Sequence, residues 1–426
     1  MSGELRLELE KPVYGGDCLA RFEGKAVFVP LALPGETVSA RLVEEKRSFA
    51  KAELTAVLAP SPERVEPRCP HFGACGGCHY QHAAYPAQIA IKTQILRETL
   101  ARAGVAIPEQ IAVLSGEPWG YRNRIRLAVA EDGRIGYRGR RSHAIVPVAE
   151  CPIAAPLLME TARGFEAFLA AAPSPVRATE IELFTNAVQS EQLLTVFCET
   201  APAASAEPWL SGLLSFLPQV TGVRLQLADG GIHPRVLASS GSSALTYSVA
   251  GLDYHVDHGS FFQVNRFLVD DFVKLVAGER EGKLAWDLYA GVGLFARQLA
   301  LRFQQVLAVE PAQASFAGLK RNLEGSAGTA VGSTTLDFLR RNRAQREPRP
   351  DLIVLDPPRA GLDPETTQLL NQIHAPEMIY VSCDPATLAR DLKALTQERF
   401  ELHSLTIVDM FPQTYHLETV ARLLRR

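Results

Sequence analysis

The chain has 426 residues, of which 47% are hydrophobic and 21% charged, and a net charge of −3. These are ordinary values for a globular protein of two or three domains, and the global charge does not announce a nucleic-acid binder. A membrane span is excluded, because no window of about 18 residues is free of charge; even the apolar stretch from Ala285 to Phe303 contains Asp287, Arg297 and Arg302. The start, Met1 to Pro12, alternates charged and apolar residues and lacks the apolar core of a signal peptide, so the expected location is cytoplasmic. Seven cysteines, an odd number without a secretion signal, argue against a disulfide framework and leave thiols free to bind metal or act as nucleophiles.

Residues 1–60 read as a small all-β unit. Short strands such as Ala26-Val-Phe-Val and Val38-Ser-Ala-Arg-Leu-Val are separated by turns at Gly15-Gly16, Glu23-Gly24 and Pro34-Gly35. A small barrel is expected, of the kind that often binds RNA or single strands.

Residues 61–255 open with a cysteine cluster. A helix follows, with Pro86 near its first turn, Ile89, Leu96 and Leu100 on one apolar face, and Gly104 at its stop. Seven arginines then fall between Tyr121 and His143: Arg122, Arg124, Arg126, Arg134, Arg138, Arg140 and Arg141. Within that segment only Glu131 and Asp132 oppose them. Such a patch attracts phosphates whatever the total charge, although a set of solvated strand faces reads equally well. A mixed α/β stretch completes the region, with a loop at Ala201 to Pro208.

Residues 256–426 alternate strands with helices. The strands are Ala285 to Tyr289, Gln305 to Val309, Leu352 to Leu355, Met378 to Ser382 and Leu405 to Asp409; helical patterns include Arg297 to Arg302 and Ala312 to Leu323. This alternation specifies a buried, largely parallel sheet covered by helices.

The first of these strands leads into Asp287-Leu-Tyr-Ala-Gly-Val-Gly. Gly291 and Gly293 allow a tight turn and close approach of a ligand. Glu310 ends the next strand, where a carboxylate can accept both hydroxyls of a ribose. The pattern fits a nicotinamide dinucleotide or S-adenosylmethionine. Two features favour the latter: Asp287 would repel a pyrophosphate but could receive the cationic methionine end, and the domain is C-terminal with a second acidic motif after Leu352 to Leu355.

Asp356-Pro-Pro-Arg follows the strand Leu352 to Leu355 and borders the same crevice. Methyltransferases acting on exocyclic amines place an aromatic at the fourth position, where Arg359 stands here, so amine methylation is the second reading. Tyr380-Val-Ser-Cys-Asp-Pro brings Cys383 to the end of the next strand, in an exposed turn rather than a core. A thiol there has a use. A thiolate added to carbon 6 of a uridine turns carbon 5 into a nucleophile, and a base must later remove the carbon-5 proton. Glu418, in His416-Leu-Glu-Thr, is the candidate base, although its residue type and position alone suit an ordinary exposed glutamate.

These motifs together resemble the RNA uridine-5-methyltransferases, especially the bacterial 23S ribosomal RNA branch. The resemblance rests on Leu33-Pro-Gly-Glu-Thr-Val, on Pro67-Arg-Cys-Pro-His-Phe-Gly-Ala-Cys-Gly-Gly-Cys-His-Tyr-Gln-His, and on Phe262-Gln-Val-Asn, Asp356-Pro-Pro-Arg, Val381-Ser-Cys-Asp-Pro and His416-Leu-Glu. It implies a multidomain α/β protein: a TRAM barrel of OB-like type (1–60), a central α+β domain with an iron–sulfur cluster (61–255), and a C-terminal Rossmann-like S-adenosylmethionine-dependent methyltransferase domain (256–426).

The resemblance further implies that Cys383 is the nucleophile and Glu418 the proton-abstracting base. Gln263, Tyr289, Glu310 and Asp356 would bind S-adenosylmethionine, with Asp287, Gly291 and Gly293. Arg122, Asn123, Arg124 and Arg138 would meet RNA. Cys69, Cys75, Cys78 and the distant Cys151 supply four thiolates. Their spacing suits zinc or an iron–sulfur cluster alike, and the resemblance implies one 4Fe-4S cluster. Cys18 and Cys198 are expected to be packing residues. Ribosomal RNA is the favoured substrate and transfer RNA the alternative; no obligate protein partner is implied. A non-catalytic RNA-binding assembly factor is the reading from another class, and would need neither Cys383 nor Glu418. Two departures stand out. Relatives often carry Cys and Asn where this chain has Ala290 and Leu294, and an acidic residue near Ser333 or Thr334, where it would serve the adenine.

Overall fold

The computed structural model describes residues 4–171, 174–201, 206–228, 235–343 and 349–426. Five strands, Glu4–Pro12, Asp17–Phe22, Lys25–Pro30, Thr37–Glu45 and Phe49–Ala59, close into the expected barrel. Alternation puts Leu7, Leu9, Ala20, Val27, Val29, Val38 and Ala40 inside it, with Cys18 fully buried among them as a packing residue. Gly16 adopts a φ of +91°, and a Cβ there would meet the His79 ring at 3.1 Å, so the barrel touches the cysteine segment at this turn.

The middle of the chain forms a seven-stranded sheet. Its central strands are Gln192–Cys198, Ala178–Thr185 and Arg124–Val129. The helices Pro156–Ala171 and Glu207–Phe216 share one core with this sheet, in which Cys198 is a second buried packing thiol. The expected loop at Ala201 to Pro208 lies partly outside the described residues, and Glu207 and Pro208 belong to the second helix, with proline in its first turn.

The C-terminal sheet has eight strands. Gly328–Val331, Phe303–Val309, Gly282–Leu288, Leu352–Leu355 and Glu377–Ser382 run parallel. Glu418–Arg425 is then inserted antiparallel between Glu377–Ser382 and Phe400–Val408. That strand was not among those expected, since Arg422 and Arg425 break its apolar run; it is buried from Glu418 to Ala421 by its neighbours on both sides. The last edge is Ala112–Leu114, which pairs in parallel with Thr406–Val408.

The helix Tyr85–Ala103 also packs onto this C-terminal unit. Leu96 and Leu100 share a core with Tyr380, Leu388 and Leu392. Residues 85–114 thus complete the C-terminal layer although they lie within the middle stretch of sequence. Pro86 and a left-handed Gly104 (φ 79°) delimit the helix as the sequence suggests. The helix expected at Arg297 to Arg302 instead spans Leu294–Leu299, because left-handed Gly293 caps it three residues earlier. No helix among the described residues is long and apolar enough to cross a membrane.

Candidate active site

The C-terminal ends of the parallel strands lie along one edge of the sheet, where ligands bind in an open α/β fold. The turn after Gly282–Leu288 lies at this edge. Tyr289 there holds a φ of 67°, a left-handed conformation costly for a residue with a side chain, and Gly291 (56°) and Gly293 (90°) follow in the same region. A Cβ on Gly293 would lie 2.8 Å from Leu319 Cδ1. Glu310 binds the turn to the next strand: its Oε2 accepts from Gly291 N at 2.9 Å and its Oε1 from Ala312 N at 2.7 Å. Burial holds its carboxyl above the usual range.

Asp287 is fully buried. Its Oδ2 accepts from Ala296 N at 2.8 Å, at the start of the helix Leu294–Leu299, while Oδ1 has no hydrogen-bond partner among the described residues. Burial, with the neighbouring carboxylates of Asp356 and Glu310, pushes it up to about 8.

Asp356 follows Leu352–Leu355, with its N–H on Leu288 O at 3.3 Å, and burial raises its carboxyl to about 7. Gln263 is buried on the loop before the helix Val269–Val276. Its carbonyl accepts from Asn123 Nδ2 at 2.9 Å, and the same nitrogen lies 2.9 Å from the Tyr247 hydroxyl.

Cys383 begins the turn between Glu377–Ser382 and the helix Pro385–Glu398. Asp384 caps that helix, accepting from Ala386 N and Thr387 N at 2.9 and 3.0 Å. The cap fixes the backbone on which Cys383, half-buried, is presented. Glu418 comes next to it through sheet register: Thr419 pairs with Ser382, while Glu418 itself pairs with Val408. Glu418 is therefore buried, not the exposed glutamate that its residue type suggested. The thiol is pushed up to about 11 by burial and by the charges of Glu418 and Asp356, with Arg359 opposing them through its charge and a hydrogen bond. Burial and Asp356 hold the Glu418 carboxyl well above the usual range.

Two residues at this site were not singled out in the sequence. Arg359, noted there only for the aromatic it replaces, is the cationic partner of the thiol. Tyr14, from the barrel, donates its hydroxyl to the Cys383 carbonyl at 3.4 Å and packs edge-on against Tyr415. Nothing local in the sequence around Tyr14 announces a contact 369 residues away.

Cys69, Cys75, Cys78 and Cys151 line one small cavity, with Tyr137, Gln81 and Arg122. Gly77 N donates to Cys75 Sγ at 3.4 Å, and the Tyr137 hydroxyl lies 3.9 Å from Cys151 Sγ. Among the described residues no three His, Cys, Asp or Glu side chains converge on a position for a single ion.

The arginine segment is corrected by the fold. Its cations are opposed by carboxylates from elsewhere: Glu180 pairs with both Arg126 and Arg138, Glu182 lies 3.7 Å from Arg124, and Asp17 lies 3.7 and 3.2 Å from Arg140 and Arg141. Asn123 is wholly buried and holds the Gln263 loop, so it does not face RNA. Arg124 is turned inward over the Phe184 ring, donating to Ser260 O at 2.7 Å, and is likewise structural. Arg122 is part-buried, donating to Arg124 O at 3.0 Å. Arg138 keeps half its side chain exposed and remains accessible to a phosphate.

Comparison with known proteins agrees with this geometry. Residues 345–426 match the family model described as tRNA (Uracil-5-)-methyltransferase, and residues 4–55 match the TRAM domain. The chain is 34% identical to a protein of Nitratidesulfovibrio vulgaris named as an uncharacterized RNA methyltransferase, over 96% of this chain and 93% of that one. It is 33% identical to the 23S rRNA (uracil(1939)-C(5))-methyltransferase RlmD of Shewanella amazonensis, over 99% and 96% of the two chains. Its fold is that of the tRNA (uracil-54, C5)-methyltransferase of Pyrococcus abyssi, with a TM-score of 0.78, 24% identity and coverage of 99% and 100%. With 33% identity to that 23S rRNA enzyme over nearly the whole of both chains, the protein belongs to the RNA uracil-5-methyltransferase family of enzymes.

Proposed function

We propose that the enzyme methylates carbon 5 of a uridine in RNA through a transient bond between Cys383 Sγ and carbon 6 of the base. The carrying observation is the register that seats buried Glu418 beside the Cys383 turn, close enough for its charge to act on the thiol. Cys383 attacks carbon 6 as thiolate, its proton having left to solvent. The base then carries negative charge over carbon 5 and its carbonyl. S-adenosylmethionine, when bound, supplies the methyl group that carbon 5 takes. Glu418 removes the carbon-5 proton, and the electron pair released expels the thiolate. Burial makes Glu418 a stronger base than an exposed glutamate.

The residues present fit the methyl donor. Glu310 would accept the ribose hydroxyls, Asp287 Oδ1 would take the cationic amino-acid end, and the Gly291 and Gly293 turn admits the ligand backbone-close. Gln263, Tyr289 and Asp356 would close the pocket. The four cysteines share one cavity and would hold a 4Fe-4S cluster there through their thiolates. Such a group would crosslink the cysteine segment to the middle sheet without taking part in methyl transfer. Relatives named for 23S rRNA favour ribosomal RNA over transfer RNA as substrate, with Arg122 and Arg138 at the edge of the binding face. A flipped or unpaired uridine is required for the thiol to reach carbon 6.

Incubation with S-adenosylmethionine and RNA containing 5-fluorouridine tests the reading, because fluorine cannot be removed as a proton and the adduct persists. A denaturation-resistant protein–RNA complex that disappears in Cys383→Ala is expected. Absence of a complex on methylatable RNA, or its survival in Cys383→Ala, rejects the mechanism.

A further inference from the structure

The connection from Asp409 to Leu417, which delivers the chain to Glu418, is held from outside the C-terminal strands. Lys92 Nζ donates to Asp409 Oδ1 at 2.5 Å and to Phe411 O at 3.0 Å, and both charged side chains are fully buried. Tyr85 donates its hydroxyl to Asp409 Oδ2 at 2.9 Å. Gln88 exchanges two bonds with Gln413: Nε2 to its Oε1 and Oε1 from its N–H, each at 2.9 Å. The Gln413 carbonyl in turn accepts from His79 N and Tyr80 N at 2.8 and 3.0 Å, and Gln413 is held at a left-handed φ of 67°.

Tyr85, Gln88 and Lys92 stand at i, i+3 and i+7 on the helix Tyr85–Ala103, continuous with the apolar residues Ile95 and Leu96. A helix serving only as packing would bury apolar side chains there. A buried ion pair contributes little net stability compared with apolar residues of the same volume, because both charges lose their water. What it supplies is direction: fixed donors and acceptors that admit one path for the connecting backbone. The path matters because the connection ends one residue before Glu418.

We propose that Gln88 and Lys92 are positioning residues for Glu418, holding the Asp409–Leu417 connection so that the carboxylate meets the carbon-5 proton. The inference rests on the reading of Glu418 as the base. Cys383 is carried on a different strand and turn, so loosening the connection slows proton removal far more than thiol attack.

The test uses the full chain with Gln88→Leu and Lys92→Met. On ordinary RNA, kcat is expected to fall on the order of 10- to 100-fold with KM unchanged. A covalent protein–RNA complex should then accumulate during turnover to a level above that of wild type. The rate of complex formation with 5-fluorouridine RNA should stay near the wild-type value. Gln88→Leu removes no charge and carries the test if Lys92→Met does not fold. Wild-type turnover in Gln88→Leu, or an equal loss of both rates, overturns the proposal. Failure of wild type itself to trap 5-fluorouridine RNA would reject the underlying mechanism instead.

Discussion

The proposed nucleophile, Cys383, is held mainly as the neutral thiol in the free protein. Its thiol is raised to about 11 by burial first and then by Glu418 and Asp356, so only a small fraction is thiolate near neutral pH. The sign follows directly. Below that value each pH unit multiplies the thiolate about tenfold, so the rate of complex formation with 5-fluorouridine RNA should climb steadily from pH 7 to 9. A flat profile, measured by stopped gel assays, would show that the thiol is activated differently. Arg359 is the cation that opposes the rise, through both charge and hydrogen bond. Arg359→Ala should slow complex formation about tenfold at pH 7.5, roughly one pKa unit of thiolate lost, and alkylation of Cys383 by iodoacetamide should slow in parallel. Arg359 was visible in the sequence only as a departure from an aromatic motif. Its bond to the thiol joins the loop after one strand to the turn after the next, and a linear pattern carries no trace of that.

At the scale of elements, the glycine turn is the part most legible beforehand. Strand, Asp287, two glycines and a helix start are all local, and positive φ at Gly291 and Gly293 is a backbone demand that residue type announces. Gly293→Ala should be costly for two reasons that add: a left-handed conformation with a side chain, and a Cβ 2.8 Å from Leu319 Cδ1. A loss of about 1–3 kcal/mol is expected from such strain, read as a lower Tm together with loss of the Tm increase that S-adenosylmethionine gives wild type. The strand Glu418–Arg425 was illegible for the opposite reason. Its burial comes from two flanking strands rather than from its own composition, so Glu418 read as an ordinary surface glutamate until its neighbours were in place.

Across the whole molecule, three stretches far apart in sequence meet at one corner. The barrel supplies Tyr14 to the Cys383 carbonyl, and its Gly16 turn abuts His79, the residue after Cys78. His79 and Tyr80 hold Gln413, and the chain then runs to Glu418. The cysteine segment is thereby tied by backbone hydrogen bonds to the connection that leads to Glu418. If Cys69, Cys75, Cys78 and Cys151 hold the proposed cluster, wild type should carry about four irons per chain, and Cys151→Ser should lower that content, lower Tm, and reduce kcat more than RNA affinity; wild type without iron, or unchanged iron in Cys151→Ser, would reject the cluster. The arginine segment is the counterpart, where the whole molecule cancels what the segment promised. Glu180, Glu182 and Asp17 come from other strands to face it.

What the amino-acid order alone determined are features with short range: the alternation that makes the barrel, the strand–helix rhythm of the parallel sheet, and the glycine turn. Each follows from φ/ψ preference or from periodicity over fewer than about 20 residues. The Cys383 turn, expected to be exposed, is instead half-buried, with Ser382 and Pro385 covered. Tertiary structure alone decided which carboxylates neutralise the arginines, that residues 85–114 complete the C-terminal layer, and that Lys92 pairs with an aspartate 317 positions away. Charge pairing and burial depend on distances in space, and those exist only once the sheets have closed around the site.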